Sequence, residues 1–377
     1  MSEPAAPAEM TDVQRSSRDP AELRAALERW LVDRLPAGAE PAVPALRPTS
    51  ANGMSSETLL FDATWNDGGT RLDEALVARV APDAHDVPVF PSYDLTRQYR
   101  VIELVGQLTD VPVPVLRWNE EDPSVLGTPF FVMDRVEGQV PPDVMPYNFG
   151  DSWLYDASPA DQRRLQDSTV DVLSRIHALD ATDPRFAFLE FDLPGATPLA
   201  RHLAHTRAWY EFCIAGGEPS PLIERTFAWL GDNLPEHEGA PVVCWGDSRI
   251  GNVMYRDFEP VAIFDWEMAG VGPRELELIW LVYAHRVFED FARDFGASSM
   301  PDFLRWEDVA ATYERLTSYT PRDLRWYGTY AGVQYGIVFL RTGQRSVHFG
   351  QNPPPADIDD LVMNRPAIEQ MLAGTYW

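Results

Sequence analysis

Two aspartates and an asparagine between Val242 and Gly272 have the types and spacing for metal-assisted chemistry. The stretch reads VVCWGDSRIGNVMYRDFEPVAIFDWEMAGVG. An apolar run, Val242-Val243-Cys244, leads into a loop bearing Asp247 and Asn252. Val253-Met254-Tyr255 predicts a short strand and Asp257–Pro260 a turn. Val261-Ala262-Ile263-Phe264 predicts a second strand, which ends at Asp265. Strands arranged this way bring Asp247, Asn252 and Asp265 toward one point. Two carboxylates and an amide form a hard-oxygen set of the kind Mg²⁺ takes. Each residue alone has an ordinary role, as a loop cap, a turn residue or a cap after a strand. Their joint spacing, ahead of a Gly-rich turn, is what points to chemistry.

The elements that must position these residues follow from periodicity. Residues 1–18 are rich in Ala, Pro, Glu and Ser, a composition expected to stay unstructured. Asp19-Pro20 opens a helix with Leu23, Ala26, Leu27, Trp30 and Leu31 on one face. Residues 36–50 hold Pro36, Pro41, Pro44 and Pro48 and are expected to be a linker. Glu57–Trp65 alternates, Asn66-Asp67-Gly68-Gly69 is a turn and Glu74–Val80 returns, which predicts a hairpin. The small polar loop before it, Ser50–Ser56, is suited to lie over phosphates. Pro91–Thr109 has helical periodicity, and Val111–Trp118 and Pro129–Val136 are strands. After a long connection, Ser158-Pro159 opens a helix with Leu165, Val172, Leu173, Ile176 and Leu179 inward, and Thr169 as the one polar member of that face. Further helices are expected over 198–215, 219–234, 274–295, 306–318, 321–343 and 357–373. The fold class is therefore α+β: a small, mostly antiparallel sheet with one helix, then a large helical part with an embedded hairpin.

Composition narrows the function. A chain of 377 residues exceeds one ordinary core, so two domains or lobes are expected. Against 58 acidic side chains stand 31 basic ones, a net charge of −27. That charge repels nucleic acid and anionic membranes, attracts polycationic small molecules, and also serves solubility on its own. The chain has no lysine. Schiff-base chemistry is excluded, and any fixed cation must be an arginine, which holds phosphate bidentately and does not lose its proton. Cys213 and Cys244 have no metal spacing and fit a reducing compartment. The amino terminus lacks a hydrophobic segment, and the longest apolar runs are too short to cross a bilayer. A soluble, cytoplasmic protein is expected. His202 and His205 share a helix face but find no third ligand, so a surface helix is expected there.

The motifs resemble the aminoglycoside phosphotransferase family, the small-molecule branch of the protein-kinase-like fold. The family pattern is His-Gly-Asp-x-x-x-x-Asn, followed by a hydrophobic strand ending in Asp-Trp-Glu or Asp-Phe-Glu. Here it stands as Trp245-Gly246-Asp247, Asn252 and Ile263-Phe264-Asp265-Trp266-Glu267. Pro129–Gly138 and Leu173–Asp180 are similar to the subgroup found as a kinase-like segment fused to some acyl-CoA dehydrogenases. The resemblance covers roughly residues 50 to 345. It implies a two-lobe architecture: a tail and helix (1–49), a small antiparallel-sheet N-lobe that binds nucleotide (50–137), and a large, mainly helical C-lobe with the catalytic loop and acceptor site (138–377).

The same resemblance implies roles. Asp247 would orient the acceptor hydroxyl and take its proton. Asn252 and Asp265 would ligate Mg²⁺ on the nucleotide phosphates. Met133, Asp134 and Val136 would form the hinge that holds adenine through backbone groups, and Ser55 and Ser56 would lie in the phosphate-covering loop. Arg79 falls where the family has its phosphate-gripping Lys, Gln98 where that Lys has its Glu partner, and Trp245 where the family has His. Arg249 is expected to pair with a local carboxylate or to reach phosphate or acceptor. Glu267 is expected to support the metal or the substrate or to make a structural hydrogen bond, and Glu277 to stabilise a helix end or buttress the loop. Trp153, Tyr155, Trp209 and Tyr210 are candidates for acceptor pocket or core. The implied activity is Mg-dependent transfer of the γ-phosphate of ATP or GTP to a hydroxyl of a small molecule, aminoglycoside-like first. Another small alcohol as acceptor, or a nucleotide-binding pseudokinase, are the alternatives. The oligomeric state is left open.

Overall fold

In the computed structural model, which describes residues 18–48, 56–143 and 145–377, a side-chain cap starts the first helix. Asp19 accepts the Ala21 N–H at 2.8 Å and Pro20 follows, giving α1 (Pro20–Arg34). Its inward face is Leu23, Leu27, Trp30 and Leu31, and the Trp30 indole N–H donates to Glu120 at 2.8 Å. The proline-rich stretch after it is not simply a linker. It carries β1 (Ala42–Pro48), paired antiparallel to β2 (Glu57–Asp67) with Leu46 opposite Phe61. The prolines conceal this strand in the sequence. They are tolerated because β1 lies at the sheet edge, where a missing N–H leaves no ladder bond unmade.

β2 buries Leu59, Phe61, Ala63 and Trp65 in strict alternation, as expected. Gly68 and Gly69, both at positive φ, turn the chain into β3 (Thr70–Val80). The register sets Thr58 opposite Arg79. Asp94 caps α2 (Leu95–Leu108). β4 (Leu116–Glu120) and β5 (Phe130–Asp134) complete an antiparallel sheet of order β1-β2-β3-β5-β4. β4 begins later than its apolar pattern suggests. Pro112 and Pro114 lie ahead of it, and the Pro112 carbonyl instead accepts the Ile263 N–H at 2.9 Å.

The helical part follows the sequence pattern closely. Ser158 caps α3 (Pro159–Ile176), Thr197 caps α4 (Pro198–Cys213) and Ser220 caps α5 (Pro221–Asp232). The polar member of the α3 stripe, Thr169, hydrogen-bonds the Tyr255 hydroxyl at 2.7 Å. Next come β6 (Val242–Cys244), the hairpin β7 (Val253–Arg256) and β8 (Glu259–Ile263), and β9 (Gly270–Gly272), which pairs with β6. The chain closes with α6 (Glu275–Phe295), α7 (Trp306–Thr317), α8 (Leu324–His348) and α9 (Arg365–Ala373). α8 runs past Gly343, where a stop was expected. A Cβ at Gly343 would lie 2.9 Å from Leu361, so this glycine serves close packing. The helix expected over 357–373 is a 3₁₀ turn at Ile358–Leu361 followed by α9.

Two apolar cores result. The first is continuous from α1 through the sheet (Phe130–Met133), α3 and the segment Val243–Trp266 to Tyr313. The second joins α4, α5, α6, α8 and α9 around Trp209, Tyr210, Tyr283 and Ile368. Arg97 ties α2 across to the helical part by donating to the carbonyls of Leu189 at 3.2 Å and Ala269 at 2.9 Å. No helix among the described residues is long and apolar enough to cross a membrane.

His202 does not lie on a surface helix face. It is buried, with Nε2 3.1 Å from the Val271 carbonyl, and His205 stacks on Phe191 at 4.0 Å. Burial pushes His202 down to about 3 and His205 down to about 4. Both therefore stay neutral in the fold where an unfolded chain, titrating near 6.5, takes up protons. The unfolded state binds the extra protons, so stability falls as pH drops below 6.5 toward these lowered values. The thermal midpoint should decline from pH 6.5 to about pH 5, and more shallowly in His202→Gln. An identical pH slope in parent and variant contradicts this account.

Candidate active site

The loop after β6 is shaped by a glycine and held by one carboxylate. Gly246 lies at φ +97°, and a Cβ there would come 2.1 Å from the Met268 carbonyl. No larger residue fits. Glu277, in the first turn of α6, accepts the N–H groups of Trp245 at 2.8 Å and Gly246 at 2.6 Å. His177 Nε2 lies 3.2 Å from the same carboxylate, and His177 Nδ1 lies 2.8 Å from the Tyr313 hydroxyl. Ser248 donates its hydroxyl to the Glu277 carbonyl at 2.8 Å. Of the two roles open to Glu277 in the sequence, the geometry shows the buttress.

Asp247 projects from this loop with every carboxylate oxygen engaged. Oδ1 accepts the Trp280 indole N–H at 2.7 Å. Oδ2 accepts from Asn252 Nδ2 at 2.6 Å and Arg249 Nε at 3.2 Å. Asn252 Nδ2 also reaches the Asp247 carbonyl at 3.1 Å, which leaves the Asn252 amide oxygen as the atom suited to a cation. The hairpin end brings Asp265 alongside, because the Phe264 N–H donates to the Asn252 carbonyl at 2.9 Å. Asp265 is a non-glycine residue at φ +60°, an uncommon conformation that needs support. Trp245 supplies it: the indole N–H donates to the carbonyls of Phe264 at 2.8 Å and Asp265 at 3.0 Å. Asp247, Asn252 and Asp265 are all buried. Among the described residues no three His, Cys, Asp or Glu are grouped to hold a metal by themselves. Two carboxylates and an amide instead fit Mg²⁺, which takes one or two carboxylates and completes its shell with phosphate and water.

On the sheet side, Arg79 donates to Asp265 Oδ1 at 3.1 Å and to Thr58 Oγ1 at 2.7 Å. Its partner is thus Asp265. Gln98 is buried on α2, and no hydrogen bond joins it to Arg79 among the described residues. Ser56 lies just before β2, and Ser55 falls outside the described residues. Met133 is buried on β5 opposite Val77. The Asp134 carboxylate is engaged by Arg117 at 3.2 Å, and its N–H donates to the Val115 carbonyl. The Val136 N–H, beyond the strand end, meets no acceptor among the described residues. At the expected hinge, the Met133 side chain is buried and the Asp134 carboxylate is already engaged, so the Val136 backbone N–H is the group left for a ligand.

Three participants were not legible in sequence. Asp143 forms an ion pair with Arg249, which thereby bridges it to Asp247. Trp280 looks like one more apolar residue of α6. Tyr335 on α8 lies against it with ring centroids 4.7 Å apart. Burial raises the Tyr335 phenol well above its usual range; Arg249 opposes this while Asp247 and Asp143 add to it. The other aromatic candidates belong to packing. Trp209 and Tyr210 sit in the second core, and Trp153 and Tyr155 pack on the first.

Residues 60–319 match the model of the phosphotransferase enzyme family. The chain belongs to that family. Among curated relatives, human acyl-CoA dehydrogenase family member 11 is 26% identical over 202 residues, which cover 53% of this chain and 24% of that protein. The probable acyl-CoA dehydrogenase IBR3 of Arabidopsis thaliana is 24% identical over 279 residues, covering 67% of this chain and 31% of that protein. The chain spans about a quarter to a third of the length of these relatives. Among solved structures, a Ralstonia eutropha protein named as an aminoglycoside phosphotransferase aligns at TM-score 0.64 and 20% identity, over 93% of this chain and 97% of that one. The GDP complex of aminoglycoside 2′-phosphotransferase-IIIa aligns at 0.54 and 12%, over 93% and 99%. An aminoglycoside phosphotransferase solved with ADP and hygromycin B aligns at 0.50 and 15%, over 93% and 100%. The fold of this phosphotransferase-family chain is thus the kinase-like one that the motifs led us to expect. The family assignment supports phosphoryl transfer from a nucleotide to a small molecule.

Trp245, at the position where the resemblance places a His, donates its indole N–H to two carbonyls. Trp245→Phe keeps the ring but removes the N–H from two buried carbonyls, and should lower unfolding stability by about 1–3 kcal/mol. Chemical denaturation checks this, and an unchanged midpoint would show that the indole bonds do not support the Asp265 turn.

Proposed function

We propose that the protein is a Mg²⁺-dependent small-molecule kinase that moves the γ-phosphate of ATP or GTP to an acceptor hydroxyl. The observation that carries this is the convergence of Asp247, Asn252 and Asp265, buried together, with Arg79 on the last of them. Asp247 orients the acceptor hydroxyl and takes its proton, while Trp280 and Asn252 fix the carboxylate's direction. Asn252 and Asp265 hold Mg²⁺, which neutralises phosphate charge when bound. Arg79 grips phosphate, backbone groups at Met133, Asp134 and Val136 take the adenine, and Ser55 and Ser56 are assigned to covering the phosphates. Phosphoryl transfer needs this positioning and charge neutralisation more than covalent chemistry. The lobe division at 50 and 137 belongs to the same proposal. So does a cytoplasmic setting, which two free, buried cysteines suit.

The likeness to structures solved with aminoglycosides makes an aminoglycoside-like acceptor the first choice. One observation favours the second, a less cationic alcohol. Asp143 is already paired with Arg249, which also pairs with Asp247, and on the other side of Asp247 lies the Trp280 indole with the Tyr335 ring against it. A polycation gains more from carboxylates that lack an arginine.

An ATP-consumption screen across aminoglycosides and neutral or anionic alcohols tests both choices. The accepted substrate should lose at least about 100-fold in kcat on Asp247→Ala, as expected for removal of a general base. Nucleotide should still raise the thermal midpoint of that variant. Full activity in Asp247→Ala contradicts the proposed mechanism. Nucleotide binding without turnover of any alcohol would favour the pseudokinase.

A further inference from the structure

Arg79 and Asp265 form an ion pair at 3.1 Å, with side chains only 10% and 6% exposed. Both ends are fixed. Arg79 sits in a sheet register opposite Thr58, whose hydroxyl takes its other amine at 2.7 Å. Asp265 is held at positive φ with its carbonyl bonded to the Trp245 indole. No other carboxylate pairs with Arg79 among the described residues, and the residue on α2 that would compete for it, Gln98, is uncharged. The neighbouring carboxylate, Asp247, is itself paired with Arg249. The two aspartates of the site are thus each matched by a guanidinium that does not deprotonate.

We propose that Arg79 is a guard on the metal site: while it holds Asp265, a free divalent cation cannot take that carboxylate, and nucleotide phosphates are what draw the guanidinium away. The proposal rests on Asp265 being a metal ligand. Its physical basis is competition for one oxygen ligand. A metal arriving alone must displace a buried, hydrogen-bonded cation and then sit beside it, a like-charge arrangement of low dielectric. A metal arriving on a polyphosphate brings excess negative charge, and Arg79 exchanges Asp265 for phosphate oxygens, to which its planar fork is suited. Metal and nucleotide binding are then coupled, with Arg79 as the positioning residue that couples them.

Mn²⁺ binding, read by loss of the free-ion paramagnetic resonance signal, tests this on the full chain with and without AMP-PNP, with the Mn²⁺ that AMP-PNP binds by itself subtracted from a protein-free titration. The parent should bind Mn²⁺ on the order of 10- to 100-fold more tightly with AMP-PNP than without it, a typical coupling range. Arg79→Gln should bind Mn²⁺ alone about tenfold more tightly than the parent and lose most of that coupling. Arg79→Lys, which keeps the charge, should stay closed to Mn²⁺ alone. Equal Mn²⁺ affinity of the parent with and without nucleotide overturns the guard, and this arm holds even if Arg79→Gln does not fold. Unchanged coupling in a folded Arg79→Gln overturns it too. Asp265→Asn separates the underlying assignment: Mn²⁺·AMP-PNP binding undiminished in that variant shows that Asp265 is no ligand, and the guard falls with it.

Discussion

One buried carboxylate sets the geometry on which the site depends. The segment Trp245–Asn252 is loop, so its N–H groups lack a ladder or helix partner and must be satisfied otherwise. Glu277 satisfies two of them at once, from the first turn of α6, just ahead of its apolar stretch. Because α6 is buried along Leu278–Ala284, this anchor cannot drift. His177 from α3 approaches the same carboxylate, so three elements meet where the loop begins. Fixing Trp245 has a second effect, since its indole then fixes the carbonyl of Asp265. Asp247 and Asp265 are thereby positioned through a single junction.

A chain without lysine has rebuilt the cationic side of this site. Arg79 occupies the strand position, but its partner is Asp265 rather than a residue of α2. Arg249 likewise bridges Asp247 and Asp143 instead of standing free. Buried ion pairs contribute little to stability beyond what their desolvation takes away. In the proposed account their effect is on specificity, by controlling which cations the carboxylates accept and when. α2, relieved of an ion pair to the strand, is secured by Arg97 to two carbonyls of the helical part.

The sequence made the centre of the site legible because its geometry is local. Asp247, Asn252 and Asp265 lie on one loop and hairpin, so spacing alone constrains them. Their partners are remote. Arg79 is 186 residues from Asp265, and Asp143 is 106 from Arg249, distances over which no pattern operates. Trp280 was hidden differently, since a buried indole and a hydrogen-bonding indole look alike in an apolar helix. The edge strand β1 was missed because prolines argue against strands wherever both neighbours must be paired. His202 was missed because its partner is a carbonyl of β9, a strand of three residues too short to leave a signal.

The central claim is that Asn252 and Asp265 bind one metal ion, on nucleotide phosphate, next to Asp247. A crystal structure with Mn²⁺ and AMP-PNP, with the anomalous signal of manganese, measures this directly. The account predicts an anomalous peak within coordination distance of the Asn252 amide oxygen and the Asp265 carboxylate, with Arg79 turned from Asp265 to phosphate. Nucleotide bound with no manganese at these two residues, or with the Arg79–Asp265 pair intact, would contradict it.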